Sequence, residues 1–132
     1  MTNSLLITKY ILKILSEDRD LTTYIPFSHI YPLEAKQGTK FPFAAIERTG
    51  ISSNQCKDGR YEDYVNIRIN IADNNYENVI HIANEIRNWL EGHRYKDDQI
   101  NIRQIKLSNA VEDWYNDAFI QSLDFEINIQ SV

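Results

Sequence analysis

The chain has 132 residues, 42% of them hydrophobic and 25% charged, which is the composition of one globular domain and excludes a disordered or fibrous chain. With 14 Lys and Arg against 19 Asp and Glu, a formal net charge of -5, the average field repels phosphate and anionic lipid, so neither sequence-specific nucleic-acid binding nor a membrane role is expected. A single cysteine, Cys56, excludes an internal disulfide and fits a reducing compartment.

In chain order, Leu6, Ile7, Tyr10, Ile11, Ile14 and Leu15 recur at helical spacing, so an amphipathic helix is predicted from Ser4 to Leu15 with Ser4 as its cap. Lys9 and Lys13 interrupt that apolar run, which argues against a signal peptide, and no stretch approaches the roughly 20 apolar residues of a membrane span. A short helical turn is expected from Asp20 to Tyr24, ending before Pro26. An extended piece follows at His29–Tyr31, then a loop carrying Gly38, then a strand over about 43–49, with Pro32 and Pro42 at strand boundaries where no ladder donor is needed. The polar stretch 50–60 reads as a long hairpin loop.

Residues 64–73, "YVNIRINIAD", alternate strictly: Val65, Ile67, Ile69 and Ile71 take every second place, with Asn66, Arg68 and Asn70 between them. This is a strand with one face in a core and the other toward water or a partner. The period then becomes helical, with Tyr76, Val79, Ile80, Ala83, Ile86 and Leu90 forming a stripe over about 75–91, Asn74 and Glu77 at capping-box spacing, and Gly92 as the stop. In the next strand Ile100, Ile102, Ile105 and Leu107 change phase across Arg103 and Gln104, which predicts a bulge. "DWYND", 113–117, reads as a turn, and Leu123, Phe125, Ile127 and Ile129 mark a last strand. The order of elements predicts an α+β fold, a mainly antiparallel sheet with an N-terminal helix and one long helix packed on one face, within a single domain spanning 1–132.

Motifs for chemistry are absent: no phosphate-binding glycine loop, no nucleophile elbow and no paired cysteines. His29, His81 and His93 are far apart and lack metal-ligand spacing. Cys56, between Gln55 and Lys57, reads as an exposed thiol of ordinary reactivity. The pairs Glu62–Asp63 and Asp97–Asp98 read as solvated turn chemistry, because strand neighbours point to opposite faces. No catalytic residue, cofactor site or metal site is therefore assigned. Tyr61, Tyr64, Trp114 and Tyr115 sit at predicted strand starts or in turns among carboxylates, where stacking on nucleic acid is disfavoured and a subunit contact or a core edge fits better. With Cys56, Lys57 and Arg60 from the hairpin and Arg68 from the polar strand face, they form the predicted subunit interface.

Taken together, the elements resemble the small phage tail-completion or tail-terminator proteins, a family once catalogued as a domain of unknown function. The resemblance rests on Ile30, Tyr31 and Pro32, then Gln37 and Gly38, then Pro42 and Phe43, and it continues through 64–71, the helix at 75–91 and "SLDFEI", Ser122 to Ile127. It implies a non-enzymatic virion protein, made in the bacterial cytoplasm, that forms a homo-oligomeric ring, commonly a hexamer. Its partners would be the tail tube protein and head-tail connector proteins, with DNA passing through the ring. An acidic average charge suits such a channel. The alternatives are a neck adaptor or tail assembly helper on the same scaffold, and a small ligand-binding or enzymatic α+β domain, which would need a concave pocket with convergent polar groups.

Overall fold

A computed structural model describes all 132 residues. Helix α1 (Ile7–Ser16) follows a 3-10 turn at Ser4–Leu6 and buries Ile7, Tyr10, Ile11, Ile14 and Leu15. Ser4 does not cap it. Its hydroxyl instead turns into the sheet and donates to Asp63 Oδ2 at 2.5 Å. A 3-10 turn at Leu21–Thr23, where the short helical turn was expected, plants Leu21 in the core.

The strands are β1 (Ile30–Pro32), β2 (Phe43–Gln55), β3 (Tyr61–Asp73), β4 (Tyr95–Lys96), β5 (Asn101–Tyr115) and β6 (Ala118–Gln130), with α2 (Tyr76–Leu90) between β3 and β4. They form one sheet in the order β1-β2-β3-β6-β5-β4, parallel only between β1 and β2. The fold is α+β with a mainly antiparallel sheet, as the order of elements predicts. Val65, Ile67, Ile69 and Ile71 of β3 and Phe125, Ile127 and Ile129 of β6 are 0% exposed, and Leu123 is buried with them under the helices. The phase break at Arg103 is a bulge, with the β5–β6 register shifting between Ile102 and Gln104.

On α2 the buried stripe is Val79, Ile82, Ala83, Ile86 and Leu90. Tyr76 lies at the exposed start of the helix and Ile80 only packs against the core rim, so Ile82 replaces them in the stripe. The cap is one residue later than its spacing suggests: Asn75 Oδ1 accepts from the Asn78 N–H at 2.9 Å. Gly92, at φ 81, ends the helix and sends its N–H to the Ile105 carbonyl of β5. Trp89 Nε1 donates to the Ile14 carbonyl at 2.7 Å and so ties α2 to the last turn of α1.

Two expected loops are strand. Residues 50–55 continue β2, in register with 61–66, and the connection is only 56–60. Trp114 and Tyr115 belong to β5, and the turn is Asn116–Asp117 alone, at φ 51 and 59, the doubly positive geometry of a two-residue hairpin. Both segments lack an apolar alternation because neither face of them is buried, so their sequence carries no strand period.

Their exposure follows from length. The four long strands have 13 to 15 residues, roughly 43 to 50 Å at the usual rise, while α1 and α2 have 10 and 15 residues, roughly 15 and 22 Å. The helices cannot cover the whole inner face. In β2 nothing beyond Ile46 is buried, and in β5 every residue from Ser108 to Tyr115 is exposed. Phe125, fully buried beneath α2, anchors the covered part, and Phe125→Ala is expected to lower the unfolding free energy by about 3–5 kcal/mol in urea denaturation.

Candidate functional site

The middle of the sheet face opposite the helices is polar and joined by cross-strand hydrogen bonds. Arg68 Nε donates to Asp124 Oδ1 at 2.8 Å across β3 and β6, Ser122 Oγ donates to Asn70 Oδ1 at 2.7 Å, and Asn128 Nδ2 donates to Glu62 Oε1 at 2.8 Å. Tyr64 lies in this ladder, its hydroxyl 3.4 Å from Glu62 Oε1. Asn66, Arg68 and Asn70 thus line a wet surface, as alternation requires. Arg68 is held by Asp124, so it contributes to that surface as half of an ion pair.

At one end of the sheet lies the β2–β3 hairpin. The N–H of half-buried Cys56 donates to the Arg60 carbonyl at 2.6 Å, Arg60 Nε pairs with Asp58 Oδ2 at 2.7 Å, and Lys57 is exposed. Tyr61 is 45% exposed and borders an open groove of about 480 Å³ walled by Met1, Leu5, Leu6 and Ile51. At the other end, Trp114 packs edge-on against Phe119, with ring centroids 4.7 Å apart, and faces the helix side. Tyr115 is 65% exposed on the open side and borders a second groove, of about 360 Å³, with Leu33, Phe41, Phe43 and Ile120. β3 separates the two ends: Tyr61 starts it, and Asp73, which ends it, pairs with Phe119 beside the second turn. The twelve steps of that strand span about 40 Å.

The eight residues singled out in the sequence therefore do not converge on one patch. Cys56, Lys57, Arg60 and Tyr61 mark one end, Tyr64 and Arg68 the middle of the open face, and Trp114 and Tyr115 the far end. Leu33 and Phe41, in and after the loop that follows β1, belong to the second apolar patch although no periodicity marks them.

Asp63 corrects the reading of its carboxylate pair as solvated. It is 3% exposed, and it accepts from Thr2 Oγ1 at 2.6 Å, from Ser4 Oγ and from Ser53 Oγ. Burial pushes its pKa up, but the three hydroxyls and the N-terminal ammonium together hold it below the usual carboxylate value. It ties the start of the chain to the β2–β3 arm. Its odd number places it in phase with Val65 and Ile67, a signal that extending the alternation by one step would have caught. Asp97 does serve a turn, its Oδ1 accepting from the Gln99 and Ile100 amides at 2.8 Å each.

The histidines sit on separate elements. His29 Nδ1 is 2.8 Å from the Pro42 carbonyl, His81 stacks on Tyr24 and lies near Glu77, and the His93 ring packs beside Trp89. One group of three possible metal-ligating side chains is brought together, Asp18, Asp20 and Glu85. Asp18 is 2% exposed, and Glu85, facing it from α2, has its pKa pushed up to about 7 by the hydrogen bond with Asp18, then by burial and by the charges of Asp18 and Asp20. No helix is long and apolar enough to cross a membrane.

No protein-family model matches the chain, and no curated protein matches it. Among solved structures the fold is similar to that of a chain in one described as the virion of a native gene transfer agent particle, with a TM-score of 0.80, 11% identity and 92% of each chain covered. At that identity the likeness is one of fold.

The Asp63 knot carries a pH signature. A carboxylate whose pKa is depressed on folding adds stability above its unfolded value, 3.8, and loses it as pH falls through the folded value. Unfolding free energy measured from pH 7 down to pH 2 should therefore fall below about pH 4 in the wild type, and part of that fall should be missing in Asp63→Asn.

Proposed function

We propose that the chain is a non-enzymatic structural protein of a phage or prophage virion that closes the end of a tail tube as a homo-oligomeric ring and joins it to the head. The observation that carries this reading is the likeness of fold, over 92% of both chains, to a component of a gene transfer agent virion. The order and spacing of elements, which resemble those of tail-completion proteins, favour the tail end over other positions in such a particle.

The surface supports a ring in a specific way. A ring forms when one patch of a subunit meets a different patch of the next and the rotation closes. The two apolar ends, Tyr61 with Met1, Leu5, Leu6 and Ile51, and Tyr115 with Leu33 and Phe41, are different, exposed and about 40 Å apart along β3. Two patches so placed can both be occupied in a closed ring. The outer edge of β2 adds a directional contact. β1 covers only Ala44–Ile46, and from Thr49 to Gln55 the edge holds no charge and no proline, the usual devices that keep a free edge from pairing. A strand of the tube or of a neighbour can extend the sheet there through main-chain hydrogen bonds.

In this reading the mechanism is steric. A closed ring leaves no free end for another tube subunit, and the chain's net charge of -5 gives passing DNA little to adhere to. No bond is made or broken.

Electron microscopy of the protein mixed with its tail tubes should show a ring at one tube end. Tyr61→Glu and Tyr115→Glu, both at exposed positions, should abolish the ring while leaving thermal stability nearly unchanged, within about 0.5 kcal/mol. Uncapped tubes with the wild type, or normal plaques from a phage lacking the gene, would contradict the reading.

A further inference from the structure

We propose that Asp18, Asp20 and Glu85 form a binding site for one hard divalent cation of Ca2+ size, which clamps the segment leaving α1 to the middle of α2. One carboxylate oxygen from each residue lies within 4.8 Å of the other two. A Ca–O bond is about 2.4 Å, so two oxygens bound to the same ion stand at most about 4.8 Å apart, a limit that each pair in the cluster respects. Mg2+, with bonds near 2.1 Å and a stricter octahedral shell, tolerates less spread among its ligand oxygens.

A separate observation concerns Asp18 itself. It is 2% exposed, its Oδ1 accepts the Asp20 N–H at 3.1 Å, and its Oδ2 has no hydrogen-bond donor once Glu85 is ionised. A buried carboxylate oxygen left without a partner is costly, and it is a rare feature unless something absent from the protein's own atoms completes it. No lysine, arginine or histidine does so, because none of the ion pairs in the chain involves Asp18, Asp20 or Glu85.

Three carboxylates with no sulfur or imidazole among them select a hard, oxygen-loving cation over zinc or copper. Asp20 is exposed and Glu85 half-buried, so the site opens to solvent on that side and water can complete the coordination shell. The ion would join parts of the chain far apart in sequence: Asp18 and Asp20 flank the exit of α1, just before the buried Leu21, and Glu85 lies in α2 between core residues Ala83 and Ile86. The site is on the helix layer, away from both sheet-end patches, and its existence does not depend on the ring.

The test is thermal unfolding of the full chain at pH 8 after EDTA treatment, with CaCl2 and then MgCl2 added, together with calorimetric titration of CaCl2. Saturating Ca2+ at a hundredfold excess over its dissociation constant should raise Tm by about 5 °C or more, with Mg2+ weaker. Asp18→Asn should remove that rise. Asp20→Asn, at an exposed position that does not threaten folding, should weaken binding at least about tenfold. An equal rise in wild type and Asp18→Asn would place the ion elsewhere and overturn the proposal. No rise with either ion at pH 8 would also overturn it and leave a proton shared by Asp18 and Glu85 as what holds the pair.

Discussion

Two short helices must cover one face of a sheet whose strands are about twice their length or more. This mismatch governs the rest of the structure. Where α1 and α2 lie over the sheet, burial is complete: β3 and β6 contribute seven residues that are 0% exposed, and Trp89 and Gly92 tie the helices to each other and to β5. Where the helices end, the outer strands continue on their own. The β2–β3 arm emerges at one end and the β5–β6 hairpin borders the other, each carrying apolar side chains that nothing in the chain covers. A monomer gains nothing from holding such surface in extended, regular strand, whereas a subunit with neighbours on both sides gains two contacts from it.

The uncovered sheet face solves a related problem. Its backbone is fully laddered in the middle strands, and its side chains meet in cross-strand pairs such as Arg68–Asp124 and Asn70–Ser122. Exposed pairs of this kind add little stability. They leave the middle of that face wet, which suits a surface bordering water better than one built for a tight protein contact. Asp63 works at the opposite limit. Buried, it gathers three hydroxyls from the chain start and from β2, and so fixes the root of the arm that carries Tyr61.

The covered half of the fold was legible because burial imprints a period. The alternation of 65–71 and 123–129, the stripe of α2 and the phase break at Arg103 all record a side chain facing a core. The uncovered half carries no such imprint. Ser52, Ser53, Asn54 and Gln55 read as loop, and 113–115 read as turn, because strand residues exposed on both faces have no reason to alternate. Tyr61, Trp114 and Tyr115, expected from the sequence at a subunit contact, are exposed, yet their separation into two ends needed the register of β3, which no local pattern contains. Leu33 and Phe41 join Tyr115 only through tertiary placement. Asp18 and Glu85 meet across half the length of the chain, so neither "SEDRD" nor the α2 stripe hints at the other.

The central claim is that the surface left bare by the short helices is covered by neighbouring subunits and the tube. Hydrogen–deuterium exchange reads this directly, by comparing the amides of 50–55 and 108–115 in the free protein and in the tube-bound assembly. Strong slowing in both segments on assembly, with the already protected core of β3 and β6 unchanged, is the result the account predicts. Exchange in both segments as fast in the assembly as in the free chain would contradict it.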